Sequence, residues 1–191
     1  MRPTVGVLAL QGDVADHLRH VERAGGSGVI VRRPEELDRC DALILPGGES
    51  TTIMKLATAF GLVGPLRDAI SSGLPVFGTC AGLVLLADRL VDAPADQETL
   101  GGLDVSVRRN AFGRQVDSFE TELTLVGWDD PVHATFIRAP WVEAVGPEVE
   151  VLATVGGHPV AVRQGNLLAT SFHTELDEHS PLHVAFVAQA G

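Results

Sequence analysis

Leu74-Pro75-Val76-Phe77-Gly78-Thr79-Cys80-Ala81-Gly82-Leu83-Val84-Leu85-Leu86-Ala87-Asp88-Arg89-Leu90 is the stretch around which the chain is organised. Pro75-Val76-Phe77 is a short apolar run behind a Gly-Leu-Pro turn and predicts a buried strand. Leu83, Leu86, Ala87 and Leu90 recur at three- and four-residue spacing and predict a helix. Between them, Gly78-Thr79-Cys80-Ala81-Gly82 is a nucleophile-elbow pattern with cysteine in the serine position. So tight a turn leaves no room for side chains at its edges, which is why glycine flanks it. Cys80 then stands just before a helix N-terminus, whose partial positive charge favours a thiolate; a free thiol, with a pKa of about 8.5, needs such help at neutral pH. The same five residues also fit a buried cysteine at a strand end, acting as a small hydrophobe.

Outward from the elbow the pattern alternates. Residues 4 to 10 predict a first buried strand, and Gln11-Gly12-Asp13 turns the chain. Asp13 is placed to cap a helix that carries Val14, Leu18 and Val21 on one face. Val29-Ile30-Val31 and Asp41 to Leu45 predict two further strands, the latter ending in Pro46-Gly47-Gly48. Helical stretches follow at 50–60 and 62–71, split by Gly61. Strand and helix in alternation imply a largely parallel sheet with helices on both faces. Beyond residue 100 the texture changes: 103–109, 119–126, 134–139, 149–155, 159–163 and 167–172 all read as strands. Gly156-Gly157-His158 predicts a hairpin turn, and Pro181 to Gln189 a closing helix with Pro181 in its first turn.

At 191 residues with 45% hydrophobic side chains and a mean hydropathy of +0.20, the chain reads as one globular domain, 1–191. Fourteen Lys and Arg against 25 Asp and Glu give a net charge of −11. That balance argues against nucleic acid as a partner, since nucleic-acid binding needs basic patches. No apolar run approaches the roughly eighteen residues of a membrane span, and residues 5–10 are too short, and lack a cleavage site, for a signal peptide. Cys40 and Cys80 are the two cysteines, which suits a reducing, cytoplasmic setting without disulfides.

Open sheets of this kind place their chemistry at the carboxyl ends of strands. Three such ends are chemically unusual: Gly47-Gly48-Glu49-Ser50, Gly78 to Gly82, and Ser171-Phe172-His173-Thr174-Glu175. In extended chain, His173 and Glu175 point to one side. A cysteine nucleophile needs a base, and the base needs an orienting group on its other nitrogen. Cys80, His173 and Glu175 supply those roles in order, although each of the latter two alone reads equally as a solvated surface residue. Gly47 and Gly48 let backbone N–H groups approach a ligand, and with the Ala81 N–H they would form an oxyanion hole. The competing reading is a plain strand-to-helix turn capped by Ser50 or Thr51. His17 and His20 (i, i+3) and His179 and His183 (i, i+4) have metal-ligand spacing without a second ligand pair, so they read as solvated helix faces. Trp128 and Trp141 pack or mark a partner surface, and Cys40 reads as inert. There is no phosphate loop.

With these residues assembled, the chain resembles the class I (triad) glutamine amidotransferases, and among them the glutaminase subunits of pyridoxal 5′-phosphate synthases. The residues that carry the resemblance are Leu10-Gln11-Gly12, Leu45 to Thr52, Phe77 to Gly82, Arg109-Asn110-Ala111-Phe112-Gly113-Arg114-Gln115, Asp117 to Glu120 and Phe136-Ile137-Arg138-Ala139-Pro140. Many amidotransferases share the cysteine elbow; the stretches from Arg109 and Phe136 are more particular. The resemblance implies a flavodoxin-like three-layer α/β sandwich with a largely parallel mixed sheet. It implies Cys80 as nucleophile with His173 and Glu175 as relay, Gly48 and Ala81 at the oxyanion, and glutamine contacts from Gly48, Glu49, Ser50, Arg109, Ile137 and Arg138. It further implies L-glutamine as substrate, a barrel-shaped synthase subunit as partner, and no metal or organic cofactor. Thr174 departs from the family's usual proline at that position while keeping the His173–Glu175 spacing. Three other readings share parts of the pattern: a glutaminase of another pathway, a cysteine peptidase or esterase on a similar fold, and a non-catalytic binding module, the last disfavoured by the presence of all three triad residues.

Overall fold

The structure is a computed structural model that describes residues 2–94, 96–112 and 118–191. In chain order its elements are β1 (Thr4–Leu8), α1 (Val14–Arg23), β2 (Ser27–Val31), α2 (Pro34–Leu37), β3 (Ala42–Leu45), α3 (Ser50–Ala59), α4 (Val63–Ser71), β4 (Val76–Thr79) and α5 (Ala81–Leu86). There follow β5 (Ala87–Val91), β6 (Leu103–Arg108), β7 (Ser118–Leu123), β8 (Val132–Ile137), β9 (Trp141–Val145), β10 (Glu150–Val155), β11 (His158–Gln164), β12 (Leu167–Thr170) and α6 (Pro181–Ala190). The central sheet has the order β10-β11-β12-β4-β3-β1-β2. Its strands from β12 to β2 pair in parallel, and β10 and β11 add an antiparallel margin.

The inner strands are apolar throughout because both faces are covered. Alternate residues of β3 show how the layers divide. Ala42 and Ile44 pack with Val21 of α1 and with Leu182 and Phe186 of α6. Leu43 and Leu45 pack on the other face with Ile53 of α3, Leu66 of α4 and Leu83 of α5. Helices therefore cover both faces, as the alternation of strand and helix predicts. Two smaller sheets extend these layers: β7–β8 joins the first, through Val132, Ala134 and Phe136, and β5-β6-β9 joins the second, through Leu103, Val105, Val107 and Val142.

Asp13 caps α1 as predicted, accepting from the Asp16 N–H. Gly156 and Gly157 both have positive φ, 58° and 84°, which is the backbone of a two-residue hairpin between β10 and β11. Three elements differ from the sequence reading. The elbow helix stops at Leu86, and Ala87 and Leu90 belong to β5, which pairs with β6. Their spacing is compatible with a helix, but the chain gains a strand partner from 103–108 that local periodicity cannot foresee. β9 and the one-turn helix α2 are additional. Trp141 begins β9, stacks on His158 at 3.8 Å and donates to Glu143, while Trp128 packs against the cluster around α1 and α6. Both tryptophans therefore pack.

Candidate active site

The elbow cysteine is strained and tightly held. Cys80 lies between β4 and α5 with φ 50° and ψ −101°, a backbone that non-glycine residues avoid at a cost of about 1–3 kcal/mol. Its N–H donates to the Thr170 carbonyl of β12 at 2.8 Å. A Cβ on Gly78 would come within 2.6 Å of the Gly82 carbonyl carbon, and one on Gly82 within 2.2 Å of the Leu45 oxygen. Both glycines of the motif are thus required for space, between elbow and helix and between helix and sheet. A cysteine that served only as filler at a strand end would need neither the strain nor the two glycines.

His173 follows β12 and is clamped by a bridge to β8: its N–H donates to the Thr135 carbonyl at 2.8 Å. The ring packs flat enough on Gly47 that a Cβ there would lie 2.3 Å from its Cε1. Nδ1 of His173 is 2.6 Å from Oε1 of Glu175, which is fully buried. On the other side the ring faces the cavity whose wall it shares with Cys80. Burial pushes the His173 pKa down, but the hydrogen bonds with Cys80 and Glu175 and the charge of the buried carboxylate outweigh it and carry it up to about 10. Glu175 moves the opposite way: burial pushes it up, and the His173 hydrogen bond and the neighbouring rings hold it below the ordinary carboxylate range. The pair is therefore imidazolium and carboxylate at neutral pH, with the positive charge beside the thiol.

The β3–α3 turn forms the next wall. Gly48 has φ +149°, and Oε1 of Gln11 accepts the Glu49 N–H at 2.7 Å. The Gly47 carbonyl faces Gly12 so closely that a Cβ on Gly12 would lie 1.8 Å from it. The cap of α3 is Glu49, not Ser50 or Thr51: its carboxylate accepts from Thr51 N at 3.3 Å and from Thr52 N at 2.8 Å. A longer side chain at this position reaches the first-turn N–H groups and still pairs with Arg109, 2.9 Å away. Arg109 also donates to Gln97, whose amide nitrogen donates to the Ser50 hydroxyl at 3.1 Å. Ile137 and Arg138 close the far side at the end of β8. Arg138 and Asn110 both hold positive φ, 45° and 47°, a concentration of strained backbone around one space.

That space is a cavity of about 410 Å³ lined by Gly48, Glu49, Ser50, Cys80, Ala81, Arg109, Ile137, Arg138 and His173, together with Gln11, Val84, Asn110 and Pro140. The residues singled out from the sequence for the site line it, except Glu175, which stands behind His173, and Gly47, which packs against the His173 ring. Gly113, Arg114, Gln115 and Asp117 of the quoted motifs lie outside the described residues. Gln97 escaped the sequence reading, and nothing in the Asp-Gln-Glu context of its loop marks it. The histidine reading needs correction: His17, His20 and His183 are buried, at most 3% exposed, while His179 is exposed. Both α1 and α6 turn these rings toward the back of the Glu175 segment, a contact that helix spacing alone does not reveal. Cys40 donates to the Glu36 carbonyl, and burial first, then Asp41, pushes its thiol up to about 11. Among the described residues no group of three His, Cys, Asp or Glu is placed to hold a metal ion.

The chain has close relatives. A model of the SNO glutamine amidotransferase family matches residues 7–190. A protein named pyridoxal 5′-phosphate synthase subunit PdxT from a Nocardioides species is 60% identical over 190 residues, covering 97% of this chain and 94% of that one. One of the same name from Acidothermus cellulolyticus is also 60% identical, covering 98% and 93%. A crystal structure described as a glutamine amidotransferase superposes with a TM-score of 0.92 at 49% identity, over 98% of each chain. PurLQS from Thermotoga maritima gives a TM-score of 0.69 at 17% identity over all of this chain and 97% of its own, a likeness of fold alone.

Proposed function

The chain belongs to the SNO glutamine amidotransferase family, and from that premise we propose that it hydrolyses L-glutamine to L-glutamate and ammonia with the triad Cys80, His173 and Glu175, as the glutaminase subunit of a pyridoxal 5′-phosphate synthase. The observation that carries this reading is the convergence of a strained cysteine elbow, a buried His–Glu pair and a set of charged contacts on one cavity. Arg109 and Arg138 offer cations to the α-carboxylate of glutamine, and Glu49 offers an anion to its α-ammonium. Gly48, Ser50 and Ile137 complete the contacts.

Cys80 Sγ attacks the carboxamide carbon of the side chain. The oxyanion is held by backbone N–H groups of Gly48 and Ala81. His173, already an imidazolium, gives its proton to the departing nitrogen, which leaves as ammonia and a glutamyl thioester on Cys80. The ring, now neutral at the nitrogen facing the site, takes a proton from water as the water attacks the thioester. Glutamate leaves, and the Cys80 sulfur and the protonated ring are ready for another turnover. Glu175 keeps the remaining ring proton on Nδ1 throughout and stabilises the charged ring. The thiol, the ring and the backbone donors suffice for every step, so the reaction takes no metal and no organic cofactor.

The ammonia passes to a barrel-shaped synthase subunit; what supports a partner is that the relatives are named as subunits of a pyridoxal 5′-phosphate synthase. The chain acts as one domain, 1–191, in the cytoplasm. Its −11 charge disfavours nucleic acid, and among the described residues no helix is long and apolar enough to cross a membrane. The Gly47–Gly48 peptide, with its carbonyl packed on Gly12, is the element through which partner contact near Gln11-Gly12 would switch hydrolysis on. The test is glutamate release by the chain with the synthase subunit. Wild-type protein releases glutamate and Cys80→Ala does not, while added ammonia still supports the synthase. A Cys80→Ala protein that releases glutamate at the wild-type rate overturns the reading.

A further inference from the structure

Three histidines are buried behind the catalytic wall, and the hydrolysis just described uses none of them. His17 and His20 project from α1 and His183 from α6. His20 and His183 stack at 4.8 Å, and the His17 and His183 rings lie 5.0 Å apart. An imidazole without water needs a partner for each nitrogen, so the partners found in the structure fix where the protons are.

Nε2 of His20 lies 3.1 Å from two backbone carbonyls, those of Glu175 and Asp177. Carbonyls only accept, so that nitrogen carries a proton and His20 anchors the backbone. His17 and His183 share one contact, Nδ1 to Nε2 at 2.8 Å. Burial drives both rings to the neutral form, His17 to a pKa of about 4 and His183 well below its ordinary value, so each has a single N–H. Nε2 of His17 is 3.2 Å from the Thr79 hydroxyl and 3.6 Å from Oε1 of Glu175. A lone pair at that nitrogen would face a buried carboxylate across a space that excludes water. An N–H there bonds the Thr79 oxygen and turns its positive end to the carboxylate, which is the favourable arrangement at low dielectric.

That choice propagates. His17 Nδ1 becomes the acceptor and His183 Nε2–H the donor. His183 Nδ1 then accepts from the Ser180 hydroxyl at 2.6 Å, and the Thr174 hydroxyl donates to Ser180 at 2.8 Å. Each donor in this chain points along it toward Glu175. Of the titratable groups set around Glu175, His173 lies on its own segment, His17 and His20 come from α1 and Asp13 caps that helix, while His183 of α6 stands one ring farther, behind His17. Among the described residues only His173 and His17 set a ring nitrogen against the carboxylate.

We propose that His17 is a positioning residue whose Nε2–H, fixed in that tautomer by the buried chain His183–Ser180–Thr174, holds the Glu175 carboxylate ionised and aimed at His173. It rests on the triad reading above and acts only through Glu175. The experiment has two parts. Nitrogen-15 NMR of the wild-type histidine rings reports the tautomer directly, and the Nε2–H form of His17 is expected; an Nδ1–H form overturns the proposal. His17→Leu, of similar volume, lowers kcat about tenfold with little change in KM, the size of effect expected for one dipole removed from a charged group. In that variant the pH at which His173 loses its proton also moves away from the wild-type value, followed by the same NMR signals. His17→Gln places an amide N–H where Nε2–H stood and restores most of both. Wild-type kcat and His173 titration in His17→Leu, or a folded His17→Gln as impaired as the leucine variant, overturns it; should His17→Leu not fold, the wild-type tautomer decides. The NMR readouts need no glutamine, so a failure of the glutaminase reading would appear separately, as absent glutamate release by the wild-type protein.

Discussion

Replacing Glu175 by glutamine keeps the side chain's shape and removes its charge. The carboxylate is fully buried and 2.6 Å from Nδ1 of His173, so nothing in solvent can take its place. Hydrogen bonds to charged groups contribute about 1.5–3 kcal/mol, so loss of this one slows the reaction by about ten- to a hundredfold. An amide can also turn its NH₂ toward Nδ1. The ring proton then moves to the nitrogen facing Cys80, the base is blocked, and the loss approaches ~10⁴-fold. The assay is steady-state glutamate release with the synthase subunit present, alongside NMR titration of the His173 ring. In the wild type the ring holds its proton to about pH 10, burial being outweighed by Cys80 and Glu175. In Glu175→Gln, burial has less opposition and the proton leaves at a much lower pH. A folded pKa raised above the unfolded value of about 6.5 contributes stability that is complete below pH 6.5 and lost as pH rises toward 10. The shift from 6.5 to about 10 sets an upper bound of roughly 5 kcal/mol on that contribution. Glu175→Gln therefore flattens the fall in stability between those pH values. A variant with kcat within about threefold of wild type and His173 still titrating near pH 10 would refute the reasoning.

Arg109→Ala removes the partner of Glu49 and Gln97 in the cavity wall; KM for glutamine should rise about tenfold or more while the Cys80 thiol stays reactive to alkylation, and unchanged kinetics would mean that the arginine only decorates the wall. Gly82→Ala forces a methyl to within 2.2 Å of the Leu45 carbonyl; denaturant unfolding should show a loss of about 1–3 kcal/mol or more, and a variant of wild-type stability would contradict the packing described. Gly12→Ala puts a Cβ 1.8 Å from the Gly47 oxygen at a backbone of φ +107°; the stimulation of glutamate release by the synthase subunit should change, and unaltered stimulation would remove the Gly47–Gly48 peptide from the switching path.

Much of the site was legible because its chemistry lies on strand ends, where local sequence sets geometry. The two glycines around Cys80 have steric reasons that the structure shows atom by atom. His173 and Glu175 could be paired from a spacing of two in extended chain. The apolar runs at 42–45, 76–77 and 167–169 could be read as inner strands because an inner parallel strand tolerates no polar face. What escaped depends on partners distant in sequence. Ala87 and Leu90 fit a helix by spacing, yet β6 claims them for a strand. His17 and His183 stand 166 residues apart, and each looks like a solvated residue until α1 and α6 are packed behind Glu175. Glu49 caps α3 from a position where shorter polar residues nearby seemed the better caps, because it also has Arg109 to meet. Gln97 is tied to Arg109 and Ser50 only by tertiary contact.

On the proposed mechanism the amide nitrogen of glutamine departs as a covalent glutamyl thioester forms on Cys80. Acid-quenched mixtures of the chain, its synthase subunit and glutamine, examined by intact-mass spectrometry and peptide mapping, test it most directly. A glutamyl adduct should appear on the peptide carrying Cys80, and neither adduct nor glutamate should form with Cys80→Ala. Steady glutamate release with the adduct on another residue, or with Cys80→Ala as active as the wild type, would rule out Cys80 as the nucleophile.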